Sequence, residues 1–278
     1  MNTFTDFPNN KQIMDFDLPQ VSIETFSASP IPIRHPAESD TFSRFENIPG
    51  HNQEVLMNSR FVLIGAGGLN SWVALGLVRS GARDLVIIDP DFVERTNLTR
   101  QYFFSQDLGK PKANSLARNL LSSSVAGCNI TAIPFRLEDV LEKYTLPADI
   151  LITGVDRNDC RLEAAKYARR RHIPAIFTML SHDGMRCHTF LQGPEDKNPC
   201  LWCALPDLQL NSNSPCVSSI ISSCYLASAF TTFFVHRAVM GWPQQFEAFN
   251  WRESDLSGMI PDKTCMILKR AGCPVCST

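Results

Sequence analysis

The chain has 278 residues, 44% of them hydrophobic and 19% charged, a balance that supplies a sizeable core and excludes disorder for most of its length. A formal net charge of -2 gives no global positive field, so no nucleic-acid partner is expected. The opening MNTFTDFPNNKQIMDFDLPQ lacks a cationic head followed by an apolar run, which argues against a secretory signal and for the cytoplasm.

Residues 1–38 are polar, with scattered Pro and Phe and no sustained period, and read as an extended or partly disordered arm outside the core. The folded domain then covers 39–278. Phe61-Val62-Leu63-Ile64 is a short continuous apolar run, the pattern of a parallel strand buried on both faces, and glycines and an apolar helical stretch from Leu69 to Ser80 follow at once. Leu85-Val86-Ile87-Ile88 repeats the strand pattern and completes a βαβ unit. A helix is expected over Lys112 to Ser123, a strand over Asn129 to Pro134 and a helix over Leu137 to Lys143. Ile150-Leu151-Ile152-Thr153 is another buried strand, a basic helix runs from Arg161 to Arg171, and Pro174 to Phe177 restarts the sheet. Strands alternating with helices give an α/β fold with a Rossmann-like, doubly wound, mostly parallel sheet. The Arg169-Arg170-Arg171 run reads as a solvated helix face.

From Val217 to Met240 the chain is apolar enough to suggest a membrane span. The serines and threonines within it, together with His236 and Arg237, favour a buried helix instead. A span there would also separate Cys200 and Cys203 from Cys273 and Cys276. Those cysteines form two CxxC pairs, four thiolates on two chelating turns, which is the spacing of a tetrahedral structural Zn²⁺ site. The fold is therefore expected to carry a C-terminal zinc-stapled lobe and no membrane segment.

Gly65, Gly67 and Gly68 in GAGGLN lie between a strand and a helix, where a missing side chain lets the backbone approach phosphate and the helix N-terminus supplies N–H donors. Asp89 ends the next strand about 20 residues on, where a carboxylate can accept from ribose hydroxyls. These features suit an NAD enzyme as well as an ATP enzyme. Asp91, Asn97, Arg100, Gln101 and Lys112 then form a polar, cationic cluster suited to a triphosphate, which hydride transfer does not need.

The segments GAGGLN, DPDFVERTNLTRQ and LGKPKA, with the paired CxxC motifs, resemble the ThiF, MoeB and HesA family, relatives of ubiquitin-activating enzymes. The resemblance runs from about Thr41 to the C-terminus with the motifs in family order. It implies ATP-dependent adenylation of the C-terminal carboxylate of a ubiquitin-like or sulfur-carrier protein that ends in glycine. It assigns Asp89 to the ribose, Asn97, Arg100 and Lys112 to the phosphates, and Asp156 to Mg²⁺. It places Arg44 where the family has an arginine that reaches into the partner subunit's ATP site, and so implies a homodimer. The chain departs from the family pattern at Arg157 and Thr153. Cys216 lies where transferring members carry a cysteine that takes the activated acyl group as a thioester. An inactive Rossmann-type partner-binding module and an NAD-dependent oxidoreductase are the alternatives.

Overall fold

The computed structural model describes residues 21–32, 41–206, 218–241 and 249–276. In chain order its elements are β1 (Glu24–Pro30), α1 (Gln53–Asn58), β2 (Arg60–Ile64), α2 (Asn70–Arg79), β3 (Asp84–Ile88), α3 (Lys112–Leu121), β4 (Ala126–Ile133), α4 (Leu137–Lys143), β5 (Ile150–Thr153), α5 (Asn158–Arg170), β6 (Ala175–Leu180), β7 (Arg186–Gln192), α6 (Leu201–Ala204), α7 (Ile221–Met240), β8 (Trp251–Asp255) and β9 (Lys263–Cys265). All strands join one sheet in the order β1-β4-β3-β2-β5-β6-β7-β8-β9. The middle five run parallel, with the strand order reversing on either side of β2. That reversal opens a crevice beyond the carboxyl ends of the strands.

The apolar runs form central strands because both faces are covered. Phe61, Leu63, Leu85, Ile87, Ile150 and Ile152 point into a core shared with α1, α2, α3 and α7. Val62, Ile64, Val86, Ile88 and Leu151 point into a second core with α4, α5 and α6. With both faces apolar, hydrophobic pattern alone does not fix strand register. Polar fasteners do so at the strand ends. The Arg60 amide donates to Asp149 Oδ2 at 2.8 Å, and Asn70 Nδ2 donates to the carbonyls of Ile64, Gly65 and Ile152 at 2.8, 3.0 and 3.2 Å.

The segment expected to lie outside the core instead supplies an edge strand. β1 pairs antiparallel with β4, and Phe26 and Ala28, alternating with exposed polar residues, pack on the α3 side of the core. Two inward residues among serines and threonines give too weak a period-2 signal to stand out. β7, β8 and β9, for which the sequence carries no strand signal, extend the sheet with antiparallel pairing.

Of the apolar stretch, residues 221–240 form α7, which lies against α2, β6 and β7. Gly76 admits the crossing, since a Cβ there would sit 3.1 Å from Thr232 Oγ1, and Ser228 Oγ donates to the Leu69 carbonyl at 2.8 Å. Among the described residues no helix is long and apolar enough to cross a membrane.

The C-terminal lobe gathers around α6. Cys200 and Cys203 face Cys273 and Cys276, with all four sulfurs buried and within 4.8 Å of one another. Sγ separations of 3.8 Å for Cys200–Cys203, 3.6 Å for Cys200–Cys273 and 3.5 Å for Cys203–Cys276 approach the edge of about 3.8 Å for a tetrahedron of sulfurs 2.3 Å from a zinc ion. The donor set therefore fits Zn²⁺ with no position left for water. The Arg270 amide donates to Cys203 Sγ at 3.4 Å, the kind of outer contact that orients a thiolate ligand. Gln192 ties the lobe to the sheet, donating to the Ala165 carbonyl at 2.9 Å and accepting from the Leu201 amide at 3.1 Å.

Candidate active site

The crevice at the strand reversal is a cleft of about 780 Å³. Its floor is the turn from β2 to α2. Gly65 sits at φ +92°, and a Cβ there would lie 2.8 Å from Val155 Cγ1 and 3.2 Å from the Gly154 carbonyl, so only glycine fits. A Cβ on Gly68 would lie 3.0 Å from Cys224 Sγ, whereas one on Gly67 would meet nothing within 4 Å. The loop is thus squeezed between β5 and α7 while its middle stays open to the cleft.

Asp89 at the end of β3 is buried, and each carboxylate oxygen accepts a main-chain N–H, Oδ2 from Ala66 at 2.6 Å and Oδ1 from Asp91 at 2.8 Å. Burial is the main reason its carboxyl is pushed up to about 6; Lys112 opposes the shift, and Asp91 adds to it. Lys112 begins α3 and its Nζ donates to Asp91 Oδ2 at 2.9 Å. Burial disfavours the ammonium, but the fields of Asp89 and Asp91 outweigh it and hold Lys112 above the usual lysine range. The lysine therefore remains a fixed positive charge.

The turn at Arg95–Thr99 carries the next group. Asn97 Oδ1 accepts from the Glu94 amide at 2.9 Å, which leaves its amide N–H donors uncommitted among the described residues. The Arg100 guanidinium donates to the Thr96 carbonyl at 2.8 Å, and its own carbonyl accepts from Trp72 Nε1 at 2.9 Å. Gln101 is buried, and its side-chain oxygen has no hydrogen-bond partner among the described residues. Asn97, Arg100, Gln101, Asp91 and Lys112 all line the cleft together with the glycines and Asp89.

Asp156 lies across from them beyond β5, exposed, and no hydrogen bond among the described residues engages it. It stands within the electrostatic reach of Lys112 and Arg161. An exposed carboxylate with no hydrogen bond among the described residues is a hard oxygen donor of the kind that holds Mg²⁺. Arg157, where the chain departs from the family pattern, also lines the cleft and is held there in ion pairs with Glu138 at 3.4 Å and with Asp159.

Arg161 and Cys224 are among the cleft residues that the sequence reading does not single out. Arg161 reads only as the start of a basic helix, yet it is buried on the cleft wall, and burial pulls it down to about 10. Cys224 falls in the apolar stretch with no motif around it; it is buried against Gly68 and lines the cleft, with its thiol pushed up chiefly by burial. Helical periodicity assigns each to a face, and no sequence signal says that a ligand cleft lies there. Cys216 lies outside the described residues. Arg44 is exposed in a turn at Ser43–Phe45 and does not line this chain's own cleft. Its neighbours Phe42 and Gln53 cover Gly81 at the far end of α2 from the glycine loop, about 15 Å away at 1.5 Å per residue.

Comparison with known proteins bears on the family and the fold. The model of the ThiF family matches residues 40–274. The NEDD8-activating enzyme E1 catalytic subunit of Caenorhabditis elegans is 38% identical over 111 residues, 39% of this chain and 26% of that protein, so the chain spans about a quarter of that relative's length. The sulfur carrier protein ThiS adenylyltransferase of Escherichia coli is 26% identical over 243 residues, 83% of this chain and 91% of that protein. A crystal structure of E. coli MccB with ATP shares the fold, with a TM-score of 0.68 at 24% identity, over 81% of this chain and 69% of that one. With a family match over most of its length and the glycine loop, buried aspartate, cationic turn and four-cysteine cluster in one frame, the chain belongs to the ThiF family.

Proposed function

We propose that the chain uses ATP to adenylate the C-terminal carboxylate of a small ubiquitin-like or sulfur-carrier protein ending in glycine. The observation that carries this reading is the convergence of Gly67, Asp89, Asn97, Arg100, Lys112 and Asp156 on one cleft. Relatives named for activating NEDD8 and ThiS support the substrate class. In this reading Asp89 accepts from the ribose hydroxyls, Asp91 and Gln101 complete that wall, and the α2 N-terminus with Asn97, Arg100 and Lys112 holds the phosphates. Mg²⁺ bound at Asp156 would supply charge neutralisation for pyrophosphate. The carrier's carboxylate oxygen attacks the α-phosphorus, the acyl–phosphate bond forms, and the bond to pyrophosphate breaks.

Arg44 acts in trans within a homodimer, stabilising charge at the partner's site as mobile arginines do elsewhere in phosphoryl chemistry. Cys216 then attacks the carbonyl carbon of the mixed anhydride and AMP leaves, which gives a thioester. Zn²⁺ on Cys200, Cys203, Cys273 and Cys276 is structural. The test is hydroxylamine trapping of the activated carrier. Wild type should yield carrier hydroxamate, and Asp156→Ala should lose it by about 100-fold or more with an unchanged melting temperature. Activity within about threefold would contradict the role of Asp156.

A further inference from the structure

At the opposite end of α5 from the nucleotide cleft, about 18 Å along the helix at 1.5 Å per residue, lies a second cavity of about 500 Å³. Lys166, Arg169 and Arg170 of α5, Asp196, Lys269, and the Pro274-Val275-Cys276 turn of the cysteine lobe enclose it. Four cations against one carboxylate are an unusual concentration in a chain whose net charge is -2.

Part of the positive charge there is held in place by main-chain carbonyls rather than by carboxylates. The Arg169 guanidinium donates to the main-chain carbonyls of Glu195 and, at 2.8 Å, of Asn198, while its Nε is buried with no hydrogen-bond partner among the described residues. Lys269 Nζ donates to the Asp196 carbonyl at 2.8 Å. Carbonyl acceptors fix a cation's position but leave its charge intact. Of the four cations only Arg170 meets a carboxylate among the described residues, Glu163 at 3.2 Å. The run read from the sequence as a solvated helix face is thus partly folded into a preorganised concave surface. Two further segments, residues 195–198 and 269–276, complete the walls, and the four-cysteine cluster pins the second of these.

We propose that this cavity is a docking site for an acidic segment, rich in Asp and Glu side chains, on a partner protein. Its volume suits a few side chains. A concave wall on which Lys166, Arg169 and Lys269 meet no carboxylate in an ion pair among the described residues focuses the field on a carboxylate cluster and raises its capture rate. A single inorganic phosphate is a poorer match, because several carboxylates on one segment can meet Lys166, Arg170 and Lys269 separately. A nucleic-acid backbone is poorer still, since it needs an extended cationic track, and this cavity is compact. The apolar Pro274 and Val275 beside the lysines suit a polypeptide ligand.

The test uses the full-length, zinc-loaded protein and rhodamine-labelled hexaglutamate followed by fluorescence anisotropy at low ionic strength, with hexaglutamine as the uncharged control. Hexaglutamate should bind and hexaglutamine should not. Lys166→Glu with Lys269→Glu should weaken binding by about tenfold or more, Lys166→Gln with Lys269→Gln should weaken it less, and Lys143→Glu on α4 should change it less than about twofold. Binding should fall as salt rises. Zinc content and melting temperature of each variant show whether the fold is intact, and the glutamine pair covers the case in which charge reversal unfolds the lobe. Equal weakening by Lys143→Glu, or an unchanged affinity in both pocket variants, would overturn the proposal. So would displacement of hexaglutamate by an oligonucleotide of equal charge or by millimolar inorganic phosphate at equal potency, since the site would then be a general anion or nucleic-acid surface.

Discussion

Asp89 is the residue at which stability and function should pull in opposite directions. Its carboxyl is held at about 6 rather than 3.8, chiefly by burial, so the folded protein binds a proton more tightly there than the unfolded chain does. This raised acid therefore favours folding at low pH and disfavours it as pH rises through the window from about 4 to 6. At 1.36 kcal/mol for each tenfold change in proton affinity, keeping the buried carboxylate ionised at neutral pH costs about 3 kcal/mol. Asp89→Asn removes the titration. It also presents an N–H group where the Ala66 or Asp91 amide needs an acceptor, a pH-independent cost of about 1–3 kcal/mol. Urea unfolding of both proteins between about pH 4.5 and 7.5 separates the two effects, because only the titration varies with pH. The stability of Asp89→Asn relative to wild type should rise by about 2 kcal/mol across that range, while ATP affinity measured at neutral pH falls. A pH-independent difference between the two proteins would refute the reasoning, since Asp89 would then carry an ordinary carboxyl.

The remaining predictions concern the metal lobe, the subunit partner and the thiol. Cys273→Ser, or chelation of zinc, should lower the melting temperature by at least about 5 °C, because binding at a four-thiolate site is coupled to folding; an unchanged melting temperature after verified metal loss would reject the staple. If Arg44 acts in trans, a mixed dimer of an Arg44→Ala subunit with an Asp156→Ala subunit should recover part of the activity that each homodimer lacks. No recovery in a verified mixed dimer removes that role. With carrier and ATP, wild type should form a reductant-sensitive adduct on a non-reducing gel that Cys216→Ala does not form. Delivery of activated carrier at the wild-type rate by Cys216→Ala would mean that the chemistry stops at the adenylate.

The parallel half of the fold is legible because strands buried on both faces must be continuously apolar, and β2, β3 and β5 have no polar interruption to blur them. The cleft residues are legible for a related reason. Glycines at a strand–helix turn, and an acid at the end of the next strand, are positions fixed by the connection itself. The antiparallel half is not legible, because its buried positions are occupied by residues that usually mark surfaces. Thr189 and Gln192 of β7 are buried beside Phe190, and Ser254 is buried in β8, so no hydrophobic alternation survives in the sequence. Arg161 and Arg169 fail for the opposite reason. Composition places arginine on solvent, but Arg161 is buried on the cleft wall, and Arg169 is turned back onto a loop 26 residues further along the chain. Only tertiary contacts decide either position.

Carrier-dependent exchange of pyrophosphate into ATP tests the central claim most directly, because it reports reversible formation of the acyl-adenylate and nothing downstream of it. With ATP, Mg²⁺ and a cognate carrier ending in glycine, wild type should exchange. Removing the carrier's terminal glycine, or substituting Asp156→Ala, should abolish exchange, and Cys216→Ala should leave it intact. Exchange that is absent when a cognate carrier is supplied, from a protein that still binds ATP, would contradict the account and leave the chain as a nucleotide-binding partner surface.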